Sequence, residues 1–484
     1  MDSLEENIRL LVQDVLSKMD LPETASSPQT AAPPSPGAQS EALGPGLFGD
    51  IESAIAAAKI AQKELVQLTL DTRRKIIDAM RKATLDNNEL LSNLAVEDTG
   101  FGRVEDKLIK HKLVADKTPG VEDLVPGAFS DDDGMTLVER APWGVIGAII
   151  PSTNPSSTVV CNGIGMIAGG NSIVFGPHPF AKKISCMAIS LMNQAIVSAG
   201  GPRNLITALA EPTIPAANVL LTHKDIGLLM VTGGPAIVKI AMNSGKKVIA
   251  AGPGNPPVVV DETADVEKAG KDIVAGGSFD NNIICICEKE VIVVDSVADR
   301  LKQAMCSNGA HLLDESQTRA LSELVIDKPG SPGDEGAINK KFVGKNASVI
   351  AKGIGLDIPD SVRLLLCEVG REHPLMWTEQ LMPVMPLTRV KNVDEGIDLA
   401  FQCEHGFRHT AVMHSLNIAK LSKMAKVMDC SIFVKNGPSY AGLGVGGAGF
   451  TSLSIASPTG DGITRPWTFT RERRCTIVDY FRIV

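Results

Sequence analysis

Apolar residues along this chain gather in short unbroken runs, and amphipathic stretches separate one run from the next. Gly144-Val145-Ile146-Gly147-Ala148-Ile149-Ile150 reads as a parallel strand buried on both faces. Runs at 172–175, 228–231, 247–250 and 258–260 repeat the pattern, and helical periodicity covers roughly 51–69, 72–89 and 157–169. Glu97-Asp98-Thr99-Gly100-Phe101-Gly102 reads as a break. This alternation predicts an α/β fold with a doubly wound sheet. Past Asp261 it resumes with Glu290-Val291-Ile292-Val293-Val294 and, later, with residues 362–367, which predicts a second α/β domain. Residues 466–471 and 475–478 read as strand.

The N-terminal end differs. Leu4, Ile8, Leu11, Val15 and Met19 recur at helical spacing, Asp2 or Ser3 supplies a cap, and Glu5, Glu6, Arg9, Gln13, Asp14 and Lys18 fill the polar face. Residues 21–46 carry Pro22, Pro28, Pro33, Pro34, Pro36 and Pro45 among Ala, Ser, Gly and Thr, the composition of a linker. The helix reads as a docking element on a tether, since an isolated helix of about 20 residues is marginal in water. The alternatives are a disordered tail or a helix packing on its own oligomer.

Composition narrows the function classes. At 484 residues the chain exceeds one ordinary core. A net charge of −9 without a long basic run argues against nucleic acid. No apolar run reaches the ~20 residues needed to span a bilayer. Nine cysteines without a CxxC pattern predict reduced thiols in a cytosolic protein. His405, His409 and His414 are spaced only partly for a helix and lack carboxylate partners, so no metal site is expected.

The chemistry concentrates in Phe279-Asp280-Asn281-Asn282-Ile283-Ile284-Cys285-Ile286-Cys287-Glu288-Lys289. Cys285 falls in a polar loop just before a strand, where a thiolate attacks an aldehyde and then carries an acyl group as a thioester. Taken alone it is one thiol among nine, and free cysteine is more often a small buried hydrophobe. The developing oxyanion needs donors, and Asn154 in Ile150-Pro151-Ser152-Thr153-Asn154-Pro155 is a candidate, or else an ordinary turn asparagine. Val231-Thr232-Gly233-Gly234-Pro235 joins a strand to a helix, where glycines let backbone approach a phosphate.

These segments together resemble the CoA-acylating branch of the aldehyde dehydrogenase superfamily, over about residues 50–480. Residues 281–288 resemble that branch's nucleophile loop, and Thr153-Asn154-Pro155 its Thr-Asn-Pro segment. The resemblance implies that Cys285 is the nucleophile and that the Asn154 amide and the Cys285 N–H hold the oxyanion. Cys287 falls where the family tends to place a small residue, which implies packing. Ala250-Ala251-Gly252-Pro253-Gly254-Asn255 stands where the hydrolytic branch carries Glu-Leu-Gly-Gly-Lys, with Ala250 at the position of the water-activating glutamate. It therefore implies oxidation of a short-chain aldehyde to acyl-CoA with NAD and CoA, by ping-pong kinetics. Pro151, Ser152, Thr153, Pro177, His178, Thr232, Gly233, Gly234, Gly252 and Glu379 are implied to border the cofactor. Gly176-Pro177-His178-Pro179 replaces Lys-Pro-Ser-Glu, which leaves NAD against NADP open, and His178 either meets adenine or braces its turn.

The same resemblance divides the chain into a docking helix over 1–20, a linker over 21–46, a cofactor domain over 47–250 with oligomerisation strands in 125–141, a catalytic domain over 251–435 and a return over 436–484. It implies a homodimer or homotetramer. The N-terminal helix and tether resemble the encapsulation peptides of acetaldehyde and propionaldehyde dehydrogenases of bacterial microcompartments. That implies a shell-protein partner and a place in the compartment lumen, with propionaldehyde favoured over acetaldehyde. A non-acylating dehydrogenase releasing free acid, a catalytically silent shell-associated protein and an acyl-phosphate reductase are the rival readings.

Overall fold

Two parallel sheets wrapped by helices form the body of the molecule. A computed structural model describes residues 43–484, so the helix expected over 1–20 and nearly all of the linker lie outside the described residues. The first sheet has the strand order Leu47–Phe48, Ile206–Leu209, Ser172–Gly176, Val145–Ile149, Ile226–Thr232, Val248–Ala251, parallel throughout. After the edge strand Leu47–Phe48 the chain re-enters in the middle at Val145–Ile149, winds to one side, then returns to the other. This reversal opens a crevice beyond the carboxyl ends of the strands.

Helix Pro155–Ala168 is buried along its whole length, so its sequence shows little amphipathic contrast. Helix Ile51–Leu65 covers the opposite face; the Asp50 carboxylate caps it by accepting from the Ser53 N–H at 2.8 Å. The second sheet runs Ala310–Leu313, Leu364–Glu368, Val384–Val390, Glu290–Val294, Pro257–Val260, Thr410–His414, Ile432–Lys435, again all parallel. One apolar core joins the two sheets, with Ile146 and Met230 of the first in the same cluster as Val258 and Val291 of the second.

A three-stranded antiparallel sheet pairs Gly127–Asp131 with Gly134–Pro142 and the latter with Thr470–Val478. Strand therefore begins at Thr470, not at 466. Pro466 has no N–H to give a ladder, the Trp467 N–H donates to Asp123 Oδ2 at 2.9 Å, and residues 465–469 make a turn. The break expected at Glu97 comes later as well. Helix Asn88–Thr99 runs through it and stops at Gly100, whose φ of 67° ends the helix in the left-handed region.

Candidate active site

The residues singled out from sequence collect where the carboxyl edge of the first sheet meets the amino edge of the second. Pro151–Asn154 follow strand Val145–Ile149, Pro177 and His178 follow Ser172–Gly176, Thr232–Gly234 close and follow Ile226–Thr232, and Gly252 follows Val248–Ala251. Facing them are segments that lead into strands of the second sheet. Gly254 precedes Pro257–Val260, Cys285 precedes Glu290–Val294, Glu379 precedes Val384–Val390 and His409 precedes Thr410–His414.

Cys285 is half-buried, whereas Cys287 is fully buried with its thiol toward the Phe279 carbonyl at 3.7 Å. The loop before Cys285 is unusual. Asp280, Asn281 and Asn282 have φ of 48°, 53° and 63°, three successive non-glycine residues in the left-handed region. Hydrogen bonds hold each of them. Asp280 Oδ1 accepts from the Arg103 N–H at 2.9 Å, and the Asp280 N–H donates to Asp106 Oδ2 at 2.9 Å. Asn281 donates to Asn346 Oδ1 at 2.7 Å and to the Gly344 carbonyl at 2.9 Å. Asn282 donates to the carbonyls of Gly277 and Glu288 at 2.7 and 2.8 Å, and buried Lys289 donates to the Asn282 carbonyl at 2.9 Å.

Helix Val104–Lys117 turns its polar face inward, burying Asp106, Lys107, Lys110 and His111 while Ile109 lies exposed. Lys107 Nζ donates to Asp280 Oδ2 at 3.1 Å. Lys110 Nζ donates to the same oxygen and, at 2.6 Å, to Asn154 Oδ1. Burial alone would raise Asp280; Lys107 and Lys110 outweigh it and hold the carboxyl below its ordinary range. Burial lowers Lys107 to about 8 against the pull of Asp280.

Gly254 has to be glycine for reasons of space. A Cβ there would lie 2.8 Å from the Cys285 carbonyl oxygen and 2.9 Å from His409 Cγ. Its N–H donates to Glu379 Oε1 at 3.4 Å. Burial raises the Cys285 thiol to about 12, Glu379 adds to this and Lys289 opposes it. Glu379 is itself raised by burial to about 7. His409 is fully buried, with Nδ1 2.9 Å from Thr410 Oγ1 and Nε2 without a protein partner; burial lowers it to about 3, so it is a neutral imidazole at neutral pH.

The remaining predicted residues line the crevice. Pro177 with Phe175, Gly176, Leu209, Pro212 and Leu220 forms a flat apolar cleft. A Cβ on Gly176 would stand 2.7 Å from Ile149 Cδ1, so the cleft floor depends on its absence. His178 Nδ1 accepts from the Phe180 N–H at 3.2 Å, which makes it a brace of its own turn. Gly234 precedes helix Pro235–Met242 without a side-chain cap, and Thr232 Oγ1 is 2.9 Å from Ser454 Oγ. The uncapped N-terminus of helix Pro235–Met242 suits an anionic linker.

The Ala250 methyl joins Val145, Val174, Leu229 and Val231 in an apolar cluster near the carboxyl end of strand Val248–Ala251. Among the described residues no group of three His, Cys, Asp or Glu side chains is arranged to hold a metal.

A half-buried thiol at the junction of the two sheets is matched by comparison with known proteins. The family model described as "Aldehyde dehydrogenase family" matches residues 48–452. The chain belongs to the aldehyde dehydrogenase family. The acetylating acetaldehyde dehydrogenase of Salmonella typhimurium is 50% identical over 440 residues, which is 91% of this chain and 94% of the relative. The propionaldehyde dehydrogenase of the Clostridium phytofermentans fucose utilisation bacterial microcompartment superimposes with a TM-score of 0.88 at 46% identity, covering 91% of this chain and 100% of that one. The Rhodopseudomonas palustris propionaldehyde dehydrogenase, solved with bound CoA and an acylated cysteine, gives 0.87 at 47% identity, over 90% of this chain and 98% of that one.

Sequence reasoning about this aldehyde dehydrogenase missed Lys107, Lys110 and the closeness of His409 to Cys285. The signal for the lysines was weak, since the helix buries Leu113 and Val114 in its last turns while Ile109, beside Lys110, lies exposed. One consequence of the raised thiol is measurable. In the cofactor-free enzyme, alkylation of Cys285 by iodoacetamide is expected to quicken about tenfold per pH unit from 7 to 9, because only the thiolate reacts and its share grows until the pKa is passed. Mass spectrometry of the Cys285 peptide reads the rate, and a plateau below pH 8 would contradict the burial.

Proposed function

We propose that this protein oxidises a short-chain aldehyde to its acyl-CoA, with NAD as electron acceptor and CoA as second substrate. The observation that carries the reading is Cys285, half-buried at the junction of the two sheets and linked to Asn154 through Asp280 and Lys110. The sulfur attacks the aldehyde carbon, forming a thiohemiacetal whose oxyanion accepts from the Asn154 amide and the Cys285 N–H. Loss of the thiohemiacetal C–H as hydride, which bound NAD would accept, re-forms the carbonyl and leaves the acyl group as a thioester on Cys285. Pro151, Ser152, Thr153, Pro177, Thr232, Gly233, Gly234 and Gly252 would hold the NAD along the crevice, with Glu379 at the inner end. The CoA thiol then attacks the thioester on Cys285, releasing acyl-CoA and the free cysteine. His409 packs beside the Cys285 carbonyl at Gly254, and the burial that keeps it neutral also makes it a weak base for a thiol proton.

One observation favours a second reading. Glu379, raised to about 7, acts on Cys285 and would serve as a base for water in a hydrolytic enzyme. NADH formation from propionaldehyde and acetaldehyde, each with and without CoA, separates the two. Turnover is expected only with CoA and faster with propionaldehyde; equal NADH without CoA would establish hydrolysis instead.

Residues 1–20 are proposed to dock on a shell protein and keep a homodimer or homotetramer in a microcompartment lumen. Support comes from the amphipathic pattern and from the microcompartment origin of the Clostridium relative. Deleting them should leave turnover of the soluble enzyme unchanged and abolish its recovery with purified compartments. Co-purification of the truncated enzyme would refute docking.

A further inference from the structure

Lys110 is one ammonium with two acceptors that belong to different halves of the site. It donates to Asn154 Oδ1 at 2.6 Å and to Asp280 Oδ2, and it is 2% exposed. Asn154 comes from the first sheet's carboxyl edge and Asp280 from the loop that carries Cys285. Lys107 also binds Asp280, so that carboxylate keeps a cation even without Lys110. Asn154 has no such substitute. Its Oδ1 meets Lys110, and its Nδ2 has only the Thr153 hydroxyl at 3.3 Å.

An asparagine amide is nearly symmetric in shape, and its two ends exchange places by a half-turn about one bond. A donor to an oxyanion is useful only if the NH2 end faces the reacting carbon throughout. A fixed cation behind the oxygen end excludes the flipped state, because it would then face NH2 instead of oxygen. We propose that Lys110 is a positioning residue that holds the Asn154 amide with its NH2 toward the substrate and ties that orientation to the Cys285 loop. The inference rests on Asn154 serving the oxyanion, as in the function proposed above.

The test compares Asn154→Ala, Lys110→Met and the double variant in steady-state aldehyde oxidation with saturating NAD and CoA. Asn154→Ala is expected to lower kcat about 100-fold, the usual loss for one oxyanion donor. Lys110→Met should lower kcat by a similar factor with the aldehyde KM within about threefold, and the double variant should be no slower than Asn154→Ala. Iodoacetamide alkylation of Cys285, which builds no oxyanion, should be unchanged in Lys110→Met.

Lys110→Met with kcat near wild type beside a slow Asn154→Ala would overturn the positioning role. A double variant slow by the product of the two losses, or a changed alkylation rate, would do so too, since Lys110 would then act through the loop alone. A normal Asn154→Ala would instead sink the oxyanion reading underneath. Should Lys110→Met fail to fold, Lys110→Gln, too short to span both acceptors, is expected to lose at least about tenfold in kcat, and unchanged kcat there refutes the proposal.

Discussion

Cys285→Ala is expected to lower aldehyde-dependent NADH formation by about 10⁴-fold or more, because the covalent route ends with the thiol. The fold should survive. The side chain is half-buried and makes none of the hydrogen bonds that hold its loop, which run through Asp280, Asn281, Asn282 and Lys289. Circular dichroism and cofactor binding therefore stay as in the parent while turnover disappears. Cys287→Ala is the control. Its thiol is fully buried toward the Phe279 carbonyl, so its loss costs packing and leaves the chemistry. Retained turnover in Cys285→Ala, with loss in Cys287→Ala, would exchange the two assignments.

Asp280→Asn should destabilise the protein by about 3–5 kcal/mol at neutral pH, the usual cost of removing one partner from a buried charge network. The carboxylate is fully buried, with Lys107 and Lys110 on one oxygen and the Arg103 N–H on the other. An amide of the same shape leaves two buried ammonium groups without a counter-charge. The penalty has a pH signature. Lys107 already titrates near 8 with Asp280 present, and without the carboxylate it releases its proton more readily. The variant should accordingly recover part of its loss as pH rises toward 8, above which Lys107 is neutral in both folded proteins. Urea unfolding at pH 7 and pH 9 measures both effects; a loss below about 1 kcal/mol would mean that the network contributes little.

The second sheet was legible, and the proposed nucleophile stood out, because each rests on a local signal. Continuous Val/Ile runs such as 258–260 and 290–294 suit only strands buried on both faces, and the segment around Cys285 carries its chemistry in consecutive residues. Pro466 misled because apolar and aromatic neighbours suggested strand where its missing N–H forces a turn. Lys110 was invisible because its partners lie 44 and 170 residues away. Buried lysines are rare, so sequence alone assigns such a residue to solvent.

Helix Val104–Lys117 buries Asp106, Lys107, Lys110 and His111 beside Leu113 and Val114 and leaves Ile109 outside, an arrangement that hydropathy alone would not choose. Replacing buried ions by well-packed apolar side chains of similar volume is often neutral or stabilising by about 1–4 kcal/mol. Leucines at 107 and 110 with an apolar partner at 280 would thus be a plausible gain in heat resistance. They would also remove the cations behind Asn154 and the nucleophile loop. An engineering campaign that screens this protein for thermal tolerance will drift toward those changes, and one that screens for turnover will discard them.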